Sequence, residues 1–158
     1  KAQQEHVDEM VQSAIAEGAT VACGGHKVQV NGKGWFYEPT VITGCTHDMR
    51  IMRDEIFGPV LPITTFKTLD EAIEMANDSV YGLTSSIYTT DYDTVMRAMN
   101  EIKFGETYVN REHFEAFQGF HQGVRQSGIG GEDGELGVEE YLETHVCYVD
   151  WDTSRNKA

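Results

Sequence analysis

The sequence has few basic residues, with 12 lysines and arginines against 26 aspartates and glutamates in 158 residues. The resulting formal net charge of −14 argues against a nucleic-acid partner, because such binding depends on clustered Lys and Arg side chains that displace counterions from phosphates. Most of the acidic side chains are therefore expected to lie on a solvated surface, where they favour solubility.

Cysteine is also scarce, and its three positions, Cys23, Cys45 and Cys147, are widely spaced without a Cys-x-x-Cys pair. An odd number in this arrangement indicates neither a disulfide framework nor a zinc site, and it is typical of a reducing cytoplasm. We expect a cytoplasmic protein. The apolar sequence around Cys23 and Cys147 predicts that at least these two are small buried packing residues.

Long apolar runs and metal-ligand patterns are missing as well. No charge-free apolar run approaches 18 residues, so no membrane partner is expected. The six histidines include no His-x-x-x-His pair, and the acidic stretch at 132–135 lacks the spacing of a calcium loop, so we expect no metal site. The glycines at 128–131 lack the third glycine of a dinucleotide cradle.

Helix and strand patterns alternate along the chain, which predicts an α/β fold with a parallel or mixed sheet and crossover helices. Helices are predicted over residues 3–17, from 69 with Thr68 as its cap, and over 92–102 with Asp91 as its cap. Seven glycines between positions 119 and 137 predict an irregular loop. The β-branched and aromatic content of residues 145–151 predicts a terminal strand.

The most informative segment is RDEIFGPV at residues 53–60, where a carboxylate and an aromatic ring stand two residues apart. If the segment is extended, Glu55 and Phe57 point to the same side. A carboxylate accepts hydrogen bonds from a ribose diol, and an aromatic ring beside it can wall a heteroaromatic ring. Taken alone, however, the segment favours an exposed Glu beside an ordinary core Phe.

This segment closely resembles the Glu-Glu-Ile-Phe-Gly-Pro element of the NAD(P)-dependent aldehyde dehydrogenases, with Asp54 in place of the first Glu. Other motifs occur in the family's order, namely EGAT at 17–20, GG at 24–25, FYEPTV at 36–41, NDSVYGL at 77–83 and SGIGGE at 127–132. Two stretches, FGETYVNRE at 104–112 and QGFH at 118–121, resemble the members of the family that act on lactaldehyde or glycolaldehyde.

The resemblance implies that residues 1–144 are the C-terminal portion of the catalytic domain of a longer enzyme, so the missing N-terminal part is an expected partner. It implies that residues 145–158 are a terminal oligomerisation strand and tail, which joins the sheet of a neighbouring subunit in a homodimer or homotetramer. The alternative from sequence is a simple edge strand within this chain.

The family's chemistry uses a cysteine thiolate, hydride transfer to NAD(P), and a carboxylate that activates water. None of the three cysteines matches the family's nucleophile motif, so we assign no catalytic residue and expect the isolated chain to be inactive. The resemblance gives Glu55 and Phe57 to the cofactor, with Glu55 on the nicotinamide ribose. NAD is the expected cofactor, and NADP stays open because the selecting residue lies outside this sequence.

Two further positions, Glu115 and His121, are implied by aligning Asn110 with the Asn that ends the equivalent strand of the family. Many members carry aromatic residues at both positions. Hydrogen-bonding side chains there suggest a substrate with polar groups of its own, such as a 2-hydroxyaldehyde. The alternative is that Glu115 is a solvated loop residue and His121 a structural histidine. The chain also departs from the family at Gly131, where an Arg is common, which puts any ion pair of that Arg in doubt.

The leading interpretation is thus part of an NAD-dependent dehydrogenase that oxidises lactaldehyde or glycolaldehyde to the carboxylic acid. Two alternatives remain at this stage. One is an aldehyde dehydrogenase for another substrate, such as a semialdehyde. The other is a non-catalytic binding or oligomerisation module of the same fold.

Overall fold

A computed structural model describes residues 1–152, and the chain divides into two compact units, Lys1–Ser79 and Val80–Ala158. Within the described residues no helix is both long and apolar enough to cross a membrane. Both units combine helices with short strands, so the predicted α/β class is confirmed.

The first unit is built around helix α1 (Ala2–Ala16), which ends one residue short of the predicted bound. Its apolar residues follow helical spacing and bury one face, as the sequence predicts. Ile15 is the exception, since it is 42% exposed. The residues of this buried face are Val7, Met10, Val11 and Ala14.

The buried face of α1 belongs to a core shared with a three-stranded mixed sheet. Strand β1 (Thr20–Cys23) runs antiparallel to β4 (Thr40–Thr43), and β4 runs parallel to β5 (Val60–Pro62). A separate hairpin pairs β2 (Lys27–Val30) with β3 (Lys33–Tyr37). The predicted mixed sheet is therefore present.

The cysteine prediction is wrong at two positions. Cys23 is exposed because it ends β1 just before two glycines of positive φ turn the chain, and Cys147 is exposed in a segment without regular structure. Cys45 is the cysteine that packs in the core, with its Sγ 3.9 Å from the carbonyl oxygen of Ile42.

Two more helices complete the first unit. Helix α2 (Arg50–Arg53) is a single turn that the sequence pattern did not predict. Helix α3 (Leu69–Asn77) begins at the predicted cap, because Thr68 Oγ1 accepts a hydrogen bond of 3.2 Å from the Glu71 amide. The Glu71 carboxylate accepts in turn from the Lys67 amide at 2.7 Å. This reciprocal arrangement is a variant of the capping box.

The second unit begins with a strand, a crossover helix and a strand: β6 (Thr84–Ile87), α4 (Tyr92–Glu101) and β7 (Glu106–Val109). The two strands pair in parallel, as predicted for strands joined by a helix. Asp91 caps α4 as expected and accepts a hydrogen bond of 2.8 Å from the Thr94 amide.

The glycine-rich stretch is more ordered than the loop predicted for it. It contains an antiparallel pair, β8 (His121–Gln122) with β9 (Gly131–Glu132), a 3₁₀ turn over Arg125–Ser127 and helix α5 (Gly134–Glu139). A glycine before β7 lets β8 approach closely, because a Cβ at Gly105 would lie 1.8 Å from the carbonyl oxygen of Gln122. Some of the chain's glycines therefore serve close packing rather than flexibility.

Residues 142–152 form neither helix nor strand, so the alternative of an edge strand within this chain is wrong for the described part of the segment. Their side chains are exposed, and no strand among residues 1–152 pairs with them. Residues 153–158 of the predicted tail lie outside the described residues. Pairing with a neighbouring subunit, and the boundary at residue 144, stay predictions.

Candidate functional site

The proposed cofactor residues lie in the first unit, in the segment 54–59 that follows α2. Glu55 is exposed, and no side chain among residues 1–152 pairs with its carboxylate. Phe57 is 76% exposed, so the interpretation of an ordinary core Phe is wrong. Ile56, between them, is half-buried and packs against the core. The exposed Glu55 and Phe57 thus flank a half-buried residue.

The backbone of this segment is nevertheless not extended throughout. Phe57 adopts a φ of 51°, in the left-handed region that a bulky residue seldom occupies. The segment is therefore not extended at Phe57, so the strand alternation that would place Glu55 and Phe57 on one side does not apply there. Left-handed backbone at a residue other than glycine persists only where its surroundings fix it.

Three contacts fix the segment. The Gln3 side-chain amide donates to the carbonyl oxygens of Ile56 and Phe57, at 3.3 and 2.9 Å. Gly58 approaches α1 so closely that a Cβ there would lie 2.4 Å from Cγ2 of Val7. The carbonyl oxygen of Pro59 accepts a hydrogen bond of 2.8 Å from the Thr40 amide in β4. The result is an exposed carboxylate and an exposed ring on a well-supported backbone.

These two side chains fit the demands of a nicotinamide dinucleotide. An unpaired carboxylate can accept from both hydroxyls of a ribose, and an exposed aromatic ring offers apolar area beside it. Neither group would have to break an interaction with residues 1–152 in order to bind. The exposure of Glu55 and Phe57 leaves both side chains available for such contacts.

The proposed substrate residues, Glu115 and His121, line one cavity of about 310 Å³ in the second unit. We call it the polar cleft. Glu115 comes from the exposed loop after β7, and His121 is the first residue of β8. The same cavity is thus lined by one predicted residue from a loop and one from a strand. Its lining includes Glu106, Tyr108, Arg111, Phe114, Glu115 and His121.

A carboxylate that the sequence analysis did not single out organises the cleft. Glu106, the first residue of β7, has a side chain only 12% exposed. One of its oxygens lies 2.5 Å from Nδ1 of His121, whose side chain is 23% exposed. The other oxygen accepts a hydrogen bond from the hydroxyl of Tyr108. Because an ionised carboxylate only accepts, Nδ1 of His121 carries a proton that it donates to Glu106.

The carboxylate sets the ionisation of both partners. The hydrogen bond to Glu106 raises the pKa of His121 above its ordinary value of 6.5, with smaller contributions from the charges of Glu115 and Glu132, and burial opposes the rise. The hydrogen bond to Glu106 also raises the pKa of Tyr108 to about 12, assisted by burial. The cleft therefore keeps Tyr108 neutral and favours the imidazolium form of His121.

The loop after β7 also lines the cleft and is held by contacts of its own. The Arg111 guanidinium stands 5.4 Å from the centre of the Tyr108 ring and donates a 2.6 Å hydrogen bond to the carbonyl oxygen of Phe114. The His113 ring stacks on Tyr108 at 5.6 Å between centroids. These contacts attach the loop that carries Glu115 to β7.

A signal for the missed residues was present in the sequence. Glu106 and Tyr108 stand two apart in FGETYVN, so they share one face of β7. The hydrogen bond between them and the His121 contact required knowledge of where β8 lies, which depends on the close approach at Gly105. No three His, Cys, Asp or Glu side chains within residues 1–152 are arranged to hold a metal ion.

Comparison with known proteins places this geometry in a family. The profile of the aldehyde dehydrogenase family matches residues 1–147. The chain is 56% identical over 145 residues to lactaldehyde dehydrogenase of Escherichia coli K12, covering 92% of this chain and 30% of the relative. It is 44% identical over 154 residues to 3,6-anhydro-alpha-L-galactose dehydrogenase of Vibrio sp. EJY3, covering 96% of this chain and 32% of the relative.

Solved structures agree with the sequence comparison. The crystal structure of lactaldehyde dehydrogenase from E. coli superposes with a TM-score of 0.89 at 54% identity, covering 94% of this chain and 31% of that protein. Betaine aldehyde dehydrogenase from Staphylococcus aureus, in complex with NAD⁺, superposes with a TM-score of 0.84 at 38% identity, covering 97% and 32%. The chain spans about a third or less of the length of these relatives. It belongs to the aldehyde dehydrogenase family and forms a partial region of that family's fold.

Proposed function

We propose that this chain forms the C-terminal portion of the catalytic domain of an NAD-dependent oxidoreductase. The reaction is oxidation of a small 2-hydroxyaldehyde, such as lactaldehyde or glycolaldehyde, to the carboxylic acid. The observation that carries the proposal is that Glu115 and His121 line one polar cleft. Since family membership alone leaves the aldehyde open, this pair of polar residues is what favours a hydroxylated substrate.

The two residues suit a hydroxyl beside the aldehyde carbon. The Glu115 carboxylate can accept a hydrogen bond from the hydroxyl, and a ring nitrogen of His121 can donate one to the hydroxyl oxygen. The names of relatives support this substrate class, since one is a lactaldehyde dehydrogenase and another, 41% identical, is a D-glyceraldehyde dehydrogenase (NADP(+)) of Picrophilus torridus. Lactaldehyde and glyceraldehyde are both 2-hydroxyaldehydes.

Cofactor binding is assigned to Glu55 and Phe57, with Glu55 accepting hydrogen bonds from the nicotinamide ribose and Phe57 packing near the same end. NAD, when bound, supplies the acceptor for the hydride that leaves the substrate. The solved relative in complex with NAD⁺ supports this choice, while the NADP(+) in the name of the P. torridus relative keeps NADP as an alternative.

The catalytic cysteine and the dinucleotide-binding domain are assigned to the rest of the enzyme, so the isolated chain is expected to have no turnover. We expect a homodimer or homotetramer. The alternatives are a family member for another aldehyde, such as a semialdehyde, and a non-catalytic binding or oligomerisation module of the same fold.

The test is kcat/KM for lactaldehyde and for propanal in the complete enzyme. A site built around a substrate hydroxyl rejects the analogue that lacks it by up to about 10⁴-fold, because polar groups are left unpaired. His121→Phe and Glu115→Phe should each remove much of this preference while sparing propanal. Glu112→Phe is the matched control, since Glu112 is an exposed carboxylate of the same loop outside the cleft.

Two results would count against the proposal. Equal losses on lactaldehyde and propanal in both cleft variants would mean that Glu115 and His121 do not contact a substrate hydroxyl. A loss of preference in Glu112→Phe as large as in the cleft variants would point to the loop's fold rather than to the two side chains.

A further inference from the structure

The Glu106 carboxylate lines the polar cleft, and both of its oxygens accept hydrogen bonds. Nδ1 of His121 occupies one oxygen at 2.5 Å, and the Tyr108 hydroxyl occupies the other. No atom among residues 1–152 pairs with Nε2, the second ring nitrogen of His121. The ring is thus held on one side and free on the other.

We propose that Glu106 is a positioning residue for substrate recognition, which fixes a proton on Nδ1 of His121 and leaves Nε2 as the ring atom that meets the substrate hydroxyl. The inference deepens the proposed function and rests on it, because it concerns how the 2-hydroxyl group is recognised. Glu106 itself is not expected to touch the substrate.

A fixed proton on Nδ1 makes the behaviour of Nε2 depend on the charge of the ring. In the imidazolium form Nε2 carries a proton and donates. In the neutral form the carboxylate keeps the single remaining proton on Nδ1, so Nε2 becomes an acceptor. A substrate hydroxyl that donates a hydrogen bond to Glu115 can accept one from Nε2 of the imidazolium. When the ring is neutral, Nε2 and the Glu115 carboxylate are both acceptors, and they compete for the single hydrogen of the substrate hydroxyl.

The charged and titratable groups around His121 favour the cation. Three carboxylates surround the ring, one from β7, one from the loop after β7 and one from β9, and they outnumber the single cation of that loop. The direction of the raised His121 pKa agrees with this arrangement. The groups are Glu106, Tyr108, Arg111, His113, Glu115 and Glu132.

The consequence is a substrate preference that depends on pH. Below the raised pKa of His121 the ring donates and the 2-hydroxyl is well matched. As pH rises through that pKa, the preference for the hydroxylated aldehyde should fall. Replacing Glu106 by Gln removes the charge that holds the second proton, so the same fall should occur at lower pH.

The experiment measures the ratio of kcat/KM for lactaldehyde to kcat/KM for propanal between pH 5.5 and 9.5 in the complete enzyme. Ionisations that affect both substrates equally, such as that of the nucleophile, cancel in this ratio. In the wild type the ratio should fall with a midpoint above 6.5. In Glu106→Gln the midpoint should move down by about one pH unit or more.

Two variants sharpen the result. Glu132→Gln removes a carboxylate on β9 that is opposite His121 in the pairing with β8 but makes no hydrogen bond to it among the described residues, so it should shift the midpoint less. Glu106→Asp keeps the charge and should keep the midpoint closer to that of the wild type. Turnover of propanal in each variant reports that the enzyme is folded.

The inference and the proposed function fail in different ways. A wild-type preference for lactaldehyde whose midpoint is unchanged in Glu106→Gln, or equally shifted in Glu132→Gln, would overturn the role of Glu106 and leave the proposed substrate standing. A preference that does not vary with pH in the wild type would likewise overturn the role of Glu106 and leave the proposed substrate standing. A wild-type enzyme without preference at any pH would refute the proposed substrate and the inference together.

Discussion

The two units hold their candidate residues by different means. In Lys1–Ser79 the segment with Glu55 and Phe57 rests on an apolar core that includes the fully buried Met10, Ile42 and Ile51. In the second unit the described core contributes only Ala98 to the fully buried apolar side chains. There the polar cleft is held by hydrogen bonds that converge on Glu106.

The difference suits the function that we propose for each region. A ribose and a nicotinamide ring need a carboxylate and an apolar surface at fixed positions, which close packing of the backbone can provide. A substrate hydroxyl needs a donor and an acceptor of defined protonation, which packing alone does not provide. The first region should therefore respond to changes in volume, and the second to changes in charge.

The largest effect is expected from Met10→Ala in the core of the first unit. Met10 is fully buried in α1, so its truncation should lower the free energy of unfolding by about 2–5 kcal/mol. Urea denaturation measures the loss. The exposed Met99 of α4 is the control, and Met99→Ala should change stability far less. A similar loss in both variants would contradict the contrast between a packed first unit and a less packed second one.

Next in size is the effect of Glu55→Gln on cofactor handling in the complete enzyme. A hydrogen bond to a charged group contributes roughly 1.5–3 kcal/mol, so productive binding of NAD should weaken about tenfold or more. Hydride transfer should suffer most. Single-turnover kinetics with NAD measure the step directly. The exposed Asp54 pairs with Arg50 instead, and Asp54→Asn is the matched control.

Unchanged cofactor affinity and unchanged hydride transfer in Glu55→Gln would show that the exposed carboxylate does not contact the ribose. Equal effects in Asp54→Asn would assign the loss to the general charge of the segment rather than to Glu55.

Some of the structural features behind these predictions could be predicted from the sequence, and others could not. Helical spacing predicted α1, and the caps at Thr68 and Asp91 were correctly located, because these signals act within a few residues. The Glu106–His121 pair was missed, because it joins positions 15 residues apart through a close approach of β8 to β7. The left-handed Phe57 was missed for a similar reason, since contacts from α1 and β4 support the backbone of its segment.

A smaller effect is expected from Gly58→Ala, which adds one methyl group where the segment meets α1. The new Cβ would lie 2.4 Å from Cγ2 of Val7, a stiff β-branched side chain, so one of the two must move. Overpacking of this kind costs about 1–3 kcal/mol, measurable by urea denaturation. The shift should also displace Phe57 and raise KM for NAD.

The control for this clash is the double variant Gly58→Ala with Val7→Ala, which removes the opposing methyl groups. If the clash is the cause, the loss from Gly58→Ala should be smaller in the Val7→Ala background than in the wild type. Additive losses would mean that Gly58 is needed for its backbone rather than for the contact with α1.

The smallest effect concerns the stability contributed by the His121–Glu106 pair in the second unit. The pKa of His121 is raised in the folded protein, so the folded state binds the proton more tightly than the unfolded chain does. The stabilisation is therefore fully present below the ordinary pKa of 6.5 and is lost as pH rises through the raised folded value. Its size should be about 1 kcal/mol, the net contribution of a typical intramolecular hydrogen bond, because the His121 side chain is partly exposed.

The measurement compares the free energy of unfolding of the wild type and His121→Gln at pH 6 and pH 9. The difference between the two proteins should be larger at pH 6, where the imidazolium donates to Glu106. His26→Gln serves as the control, because His26 is an exposed histidine of the first unit without an ion pair among the described residues. A difference for His121→Gln that is the same at both pH values would mean that the ring contributes by packing, in which case the second unit is held like the first.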